Sequence, residues 1–145
     1  MWIIPLIYLL IQGVDAPVAL AAGFAYDKFG TRILAIPFLL SIFSSMLTMG
    51  STSLLTIVAA ALVFGIVLGM QESVYRAAVS AYTPIISRGT AYGIFNTAYG
   101  VGFLISGSLY GLLADLKVSF IIVSLYTVLM QVTALALLTT SPKPS

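Results

Sequence analysis

Charged side chains vanish from long stretches of this chain: none occurs from Ile33 to Gln71, from Gly89 to Ala114 or from Val118 to Pro142. A helix needs about 20 apolar residues to cross the hydrocarbon core of a bilayer, so each stretch is a transmembrane candidate and the first is long enough for more than one. Turn chemistry divides them. Gly50-Ser51-Thr52-Ser53 reads as a loop with a hydroxyl residue to cap the next helix, and Thr83-Pro84 does not continue a helix. The pattern predicts five helices, over residues 2–26, 32–49, 53–82, 90–114 and 118–139. The expected fold is all-α, a polytopic membrane bundle of five transmembrane helices over 1–140, with 141–145 an exposed tail.

Composition supports the same class. Hydrophobic residues make up 61% of the 145 and charged residues only 7%, which leaves too little polar surface for a soluble domain of this size. There is no cysteine and no histidine, so disulfides, thiolate nucleophiles and the usual zinc, haem or iron–sulfur ligand sets are excluded. No cofactor is expected. The net charge of +2 is scattered over loops and points neither to nucleic acid nor to a basic peripheral helix. The first apolar run is interrupted by Pro5, Gln12, Asp15 and Pro17 and has no Lys or Arg before it, so a cleavable signal peptide is not expected.

Basic residues set the expected orientation, because Lys and Arg collect in cytoplasmic loops. With the Asp27–Arg32 turn inside, Lys28, Arg32, Arg76, Arg88 and Lys143 all fall inside and Lys117 alone falls outside. Five spans then put the amino terminus outside and the tail in the cytoplasm.

Between the first two helices lies Gly23-Phe24-Ala25-Tyr26-Asp27-Lys28-Phe29-Gly30-Thr31-Arg32. This string resembles the loop signature of the major facilitator superfamily (MFS) of secondary transporters, with Gly23, Asp27, Lys28, Gly30 and Arg32 matching and Thr31 replacing one basic residue. The resemblance continues through Gly69-Met70-Gln71-Glu72-Ser73 with Arg76-Ala77, and through Arg88 to Asn96 with the glycine-rich run to Gly111. It implies that the chain corresponds to helices eight to twelve, a partial MFS fold in which helix seven and the amino-terminal half are missing. Gly23-x-x-x-Asp27 and Gly111-x-x-x-Asp115 would then end corresponding helices on opposite faces, in keeping with the inverted repeats within each half of such transporters.

Asp15 is the sharpest candidate for function, because acids inside a membrane span line water-filled paths, bind cations or carry protons. The competing reading makes it a structural hydrogen-bonding residue. Asn96, with Tyr99, Gln12 and Gln131, could line a cavity, although such residues more often bond between helices. Glu72 and Arg76 stand one helical turn apart and are salt-bridge candidates. By resemblance, Asp27 meets Arg76 or Arg32 in a latch that changes during alternating access. Gly65, Gly69, Gly93, Gly100, Gly107 and Gly111 are expected to let neighbouring helices approach closely.

These readings imply transmembrane transport of a small solute by a gradient-driven, alternating-access transporter in a prokaryotic inner membrane, with this chain a carboxy-terminal part. The substrate is unspecified. The rival is a truncated or split-gene membrane protein that moves nothing alone and docks with a separate amino-terminal half. An enzyme is not expected: no GxxxxGK(S/T) phosphate loop occurs, and the polar residues form no convergent catalytic set.

Overall fold

The computed structural model describes residues 2–50 and 52–140, and the expected tail over 141–145 lies outside them. Five helices follow one another: α1 (Ile3–Phe29), α2 (Ala35–Met49), α3 (Leu54–Tyr82), α4 (Arg88–Asp115) and α5 (Phe120–Thr140). No strand occurs among the described residues.

The turn between α1 and α2 is tighter than the sequence suggests. Where a polar loop is expected, a 3₁₀ turn, Gly30–Leu34, joins the two helices without coil. Gly30 makes this possible, because its φ of 64° lies in the left-handed region that side chains disfavour, and its N–H donates to the Tyr26 carbonyl. Together Ile3–Met49 forms one apolar helical run of 47 residues. A straight helix of that length would reach about 70 Å, more than twice the hydrocarbon core. The contacts show that it folds back. Along α1, Ile11, Asp15 and the Gly23 position meet Gly65, Gly69 and Ser73 of α3 in the same order, so the two run parallel. Along α2, Phe38 stacks on Tyr75, while Thr48 and Met49 share a cavity wall with Ile57, so α2 runs against α3. Pro37 is fully buried in the first turn of α2, where its missing N–H costs no helical hydrogen bond.

Ser53 opens α3 with a capping box: its hydroxyl accepts from the Thr56 N–H and Thr56 Oγ1 accepts from the Ser53 N–H at 3.1 Å. Thr83 and Pro84 are extended and end it. A bond from the Tyr92 hydroxyl to the Arg76 carbonyl, at 3.2 Å, helps hold α4 antiparallel to α3. The α4–α5 turn places Lys117 at φ 51°, with the Val118 N–H donating back to the Leu113 carbonyl in a helix-terminating turn. α5 then packs mainly along α2.

Burial is arranged for a lipid solvent. The residues of α3 that are hidden are small, Ala60, Ala61, Gly65, Val67, Gly69, Val74 and Ala78, while Trp2, Phe24 and Leu55 are about four-fifths exposed, at 82%, 76% and 80%. Small side chains inward and large apolar ones outward is how membrane helices gain packing, since the lipid already solvates the large ones. A compact cluster of Ala22, Ile33, Leu34, Val74 and Ala78 gathers α1, the 3₁₀ turn and α3 at the Gly30 end of the bundle.

Candidate functional site

Among the described glycines, the closest backbone approaches lie on the α1–α3 seam. A Cβ built at Gly69 would lie 2.5 Å from the Asp15 carbonyl oxygen and 3.0 Å from the Ala19 nitrogen, and one at Gly65 would lie 2.7 Å from the Ile11 carbonyl oxygen. Only glycine admits such contact between backbones. Gly23 continues the seam from the other side, since a Cβ there would meet Ser73 Oγ at 3.1 Å.

Asp15 stands on this seam, two residues before Pro17, which lies inside α1. Its Oδ1 is buried and has no hydrogen-bond partner, and it would be 3.0 Å from a Cβ at Gly69. An unpaired carboxylate oxygen inside an apolar helix is costly, and such groups concentrate where an ion or proton is handled. Glu72, Arg76 and Asp15 all lie near enough to Tyr99 of α4 to act on it electrostatically. The Tyr99 hydroxyl donates to Gln71 Oε1 at 3.1 Å, joining α4 to α3.

Two cavities open along α3 and α4 on either side of that bond. One, of about 450 Å³, is walled by α3 from Ile57 to Phe64 and α4 from Phe103 to Tyr110, with Ile7 and Ile11 of α1 and the hydroxyl residues Ser44, Ser45 and Thr48 of α2. The other, of about 600 Å³ and open to the outside, lies toward the Gly30 end between Tyr75–Thr83 of α3 and Phe95–Tyr99 of α4, with Leu34, Phe38 and Leu138 also on its wall. Tyr110, on the wall of the first, pairs its hydroxyl with Thr127 of α5.

The remaining sequence candidates separate. Asn96 is exposed on α4 and does not join Asp15. Glu72 and Arg76 share α3, yet among the described residues no ion pair joins them, and none joins Asp27 to Arg32 or Arg76. Glu72 is half-buried while Arg76 is exposed. In the charged turn, Asp27, Lys28 and Arg32 are exposed, with Lys28 Nζ 5.5 Å from the centre of the Phe29 ring. Gly93, Gly100, Gly107 and Gly111 meet nothing within 4 Å; packing within this chain involves Gly65 and Gly69 instead.

Sequence reasoning passed over Gln71, Tyr75 and Phe38 as site residues. The available signal was Gln71 and Tyr75, one turn apart in the polar stretch of α3 that also holds Glu72, Ser73 and Arg76; nothing local marks Phe38 as the ring that stacks on Tyr75.

A parallel and antiparallel bundle of long apolar helices with a glycine seam defines a polytopic α-helical membrane protein. The Major Facilitator Superfamily profile matches residues 2–145, and the chain belongs to that family of transporters. Uncharacterized proteins of Mycobacterium bovis and of two strains of Mycobacterium tuberculosis are each 32% identical to it over 120 residues, covering 83% of this chain and 29% of theirs. The chain thus spans less than a third of the length of these curated relatives. No solved structure matches it.

Proposed function

We propose that this chain is the carboxy-terminal part of a gradient-driven secondary transporter that moves a small solute by alternating access, with Asp15 as its proton-coupling residue. The observation that carries the reading is the buried, unpartnered Asp15 Oδ1 on the glycine seam of an apolar bundle. Protonation neutralises that oxygen's cost, and deprotonation restores it, so occupancy by a proton shifts the balance between arrangements of the bundle. The charged turn of Gly23, Asp27, Lys28, Gly30 and Arg32 serves gating at the cytoplasmic side, with the membrane a prokaryotic inner membrane and residues 141–145 in the cytoplasm.

The test is uptake into proteoliposomes containing the intact transporter, driven by an imposed pH gradient and screened over sugars, organic anions, drugs and peptides. Asp15→Asn is expected to abolish gradient-driven uptake while leaving gradient-independent exchange. Unchanged driven uptake would exclude proton coupling through Asp15.

A second reading follows from the chain's share of its relatives' length: a split or truncated product that works only with a separate amino-terminal half. Immunodetection of the native polypeptide through residues 141–145 separates the two. A band near 15.4 kDa that co-purifies with a second membrane chain supports a split transporter. A band roughly three times larger assigns the activity to one longer chain, in proportion to the share covered.

A further inference from the structure

We propose that the Gly30 end of the bundle is a binding site for an anionic phospholipid of the bilayer, with the headgroup phosphate on Arg88 and one acyl chain along the open groove between α2, α3, α4 and α5. The assignment goes beyond transport and does not depend on it.

Charge at the mouth of the groove selects the occupant. The wall reaches the Gly30 end at Leu34, Tyr82 and Thr83. Arg88 is half-buried there, and its Nε donates to the Thr83 carbonyl at 3.5 Å, which holds the guanidinium at the mouth and leaves its terminal N–H groups for an anion. No acid pairs with Arg88 among the described residues. Ile33 and Leu34 pack with Val74 and Ala78 of α3, which brings the adjoining Arg32 to the same end, and Tyr26 lies near enough to Tyr82 for an electrostatic interaction, which brings Lys28 there as well. Beside these cations stands one acid, Asp27. Basic clusters at the interfacial ends of membrane helices attract anionic headgroups.

The turn next to Arg88 sets the depth. Ile85 and Ile86, between α3 and α4, are 81% and 101% exposed. Two bare isoleucines beside a cation fit the boundary between headgroups and acyl chains and not open water, so the guanidinium lies at phosphate level.

Below the cations the groove suits a chain. It follows α3 from Tyr75 to Thr83, about 12 Å along the axis. That is close to the hydrocarbon depth of one leaflet, half of about 30 Å. No charged side chain lines the groove, and it is open to the outside, so a chain enters sideways from the bilayer. A lipid with a cationic headgroup group of its own gains less at this mouth, and free phosphate leaves the groove unfilled.

The test uses the intact transporter in phosphatidylcholine nanodiscs doped with phosphatidylglycerol that carries a photoreactive diazirine on one acyl chain. Labelled residues are mapped by mass spectrometry. Labelling is expected to concentrate on the groove-lining turns of α3 and α4, and to fall when unlabelled phosphatidylglycerol is added. Arg88→Gln should weaken it about fivefold, and Arg88→Lys, which keeps the charge, should retain it. Ala98→Trp, which fills the groove from α4, should remove it. Even labelling over the lipid-facing helices, labelling undiminished by Arg88→Gln, equal competition by phosphatidylcholine, or displacement by inorganic phosphate would each overturn the proposal. So would a groove left unlabelled because another segment of the longer transporter covers it.

Discussion

The glycines of α3 and those of α4 carry the same spacing and live in opposite surroundings. Gly65-x-x-x-Gly69 is pressed against the backbone of α1, so tightly that no Cβ fits at either position. Gly107-x-x-x-Gly111, together with Gly93 and Gly100, faces open space. A small-residue motif therefore marks a surface where another helix can come close without saying which helix comes or whether the chain itself provides it. The seam is already formed; the face of α4 is bare.

Substitutions along these two ridges should give effects of very different size. The largest is expected from Gly69→Val, because its Cβ would be driven to 2.5 Å from the Asp15 carbonyl oxygen, where backbone rather than a movable side chain must yield. A loss of about 3 kcal/mol is expected, read as the midpoint of denaturant unfolding in detergent. An unchanged midpoint would mean that α1 and α3 are not held backbone to backbone. Gly23→Ala should do much less. Its Cβ would meet only the rotatable Ser73 hydroxyl, at 3.1 Å, and the gain in helix propensity offsets the crowding, so a change within about 1 kcal/mol of either sign is expected. The smallest effect belongs to Gly100→Ala, which adds a methyl group to open space. Stabilisation of up to about 1 kcal/mol is expected from the reduced backbone freedom. Destabilisation at Gly100 would reveal a helix seated on α4, and would narrow the contrast between the ridges.

The presence of five helices was legible from the uncharged runs and from turn residues such as Ser53 and Pro84, because lipid permits no other use of such long apolar sequence. The first connection was not. Asp27, Lys28 and Arg32 have the composition of a loop, yet the left-handed Gly30 lets the chain reverse in a 3₁₀ turn, so the second helix starts at Ala35 rather than Arg32. The candidate site was legible at Asp15, where an acid inside an apolar run is conspicuous. Its surroundings were not: Gln71 meets Tyr99 across 28 residues of sequence, and Phe38 meets Tyr75 across helices, and pairings of that kind carry no local pattern. The Glu72–Arg76 spacing misled in the other direction, since sharing a helical face permits an ion pair without compelling one.

The coil-free reversal at Gly30 also makes the first half of the chain a stiff lever. With no slack between α1 and α2, a twist of α1 must carry α2 with it, and α5 follows because it lies along α2. α3 is locked to α1 by the glycine seam. α4 is tied at its ends by short turns and along its length by single hydroxyl contacts, Tyr92 to Arg76, Tyr99 to Gln71 and Tyr110 with Thr127, and both cavities have it as a wall.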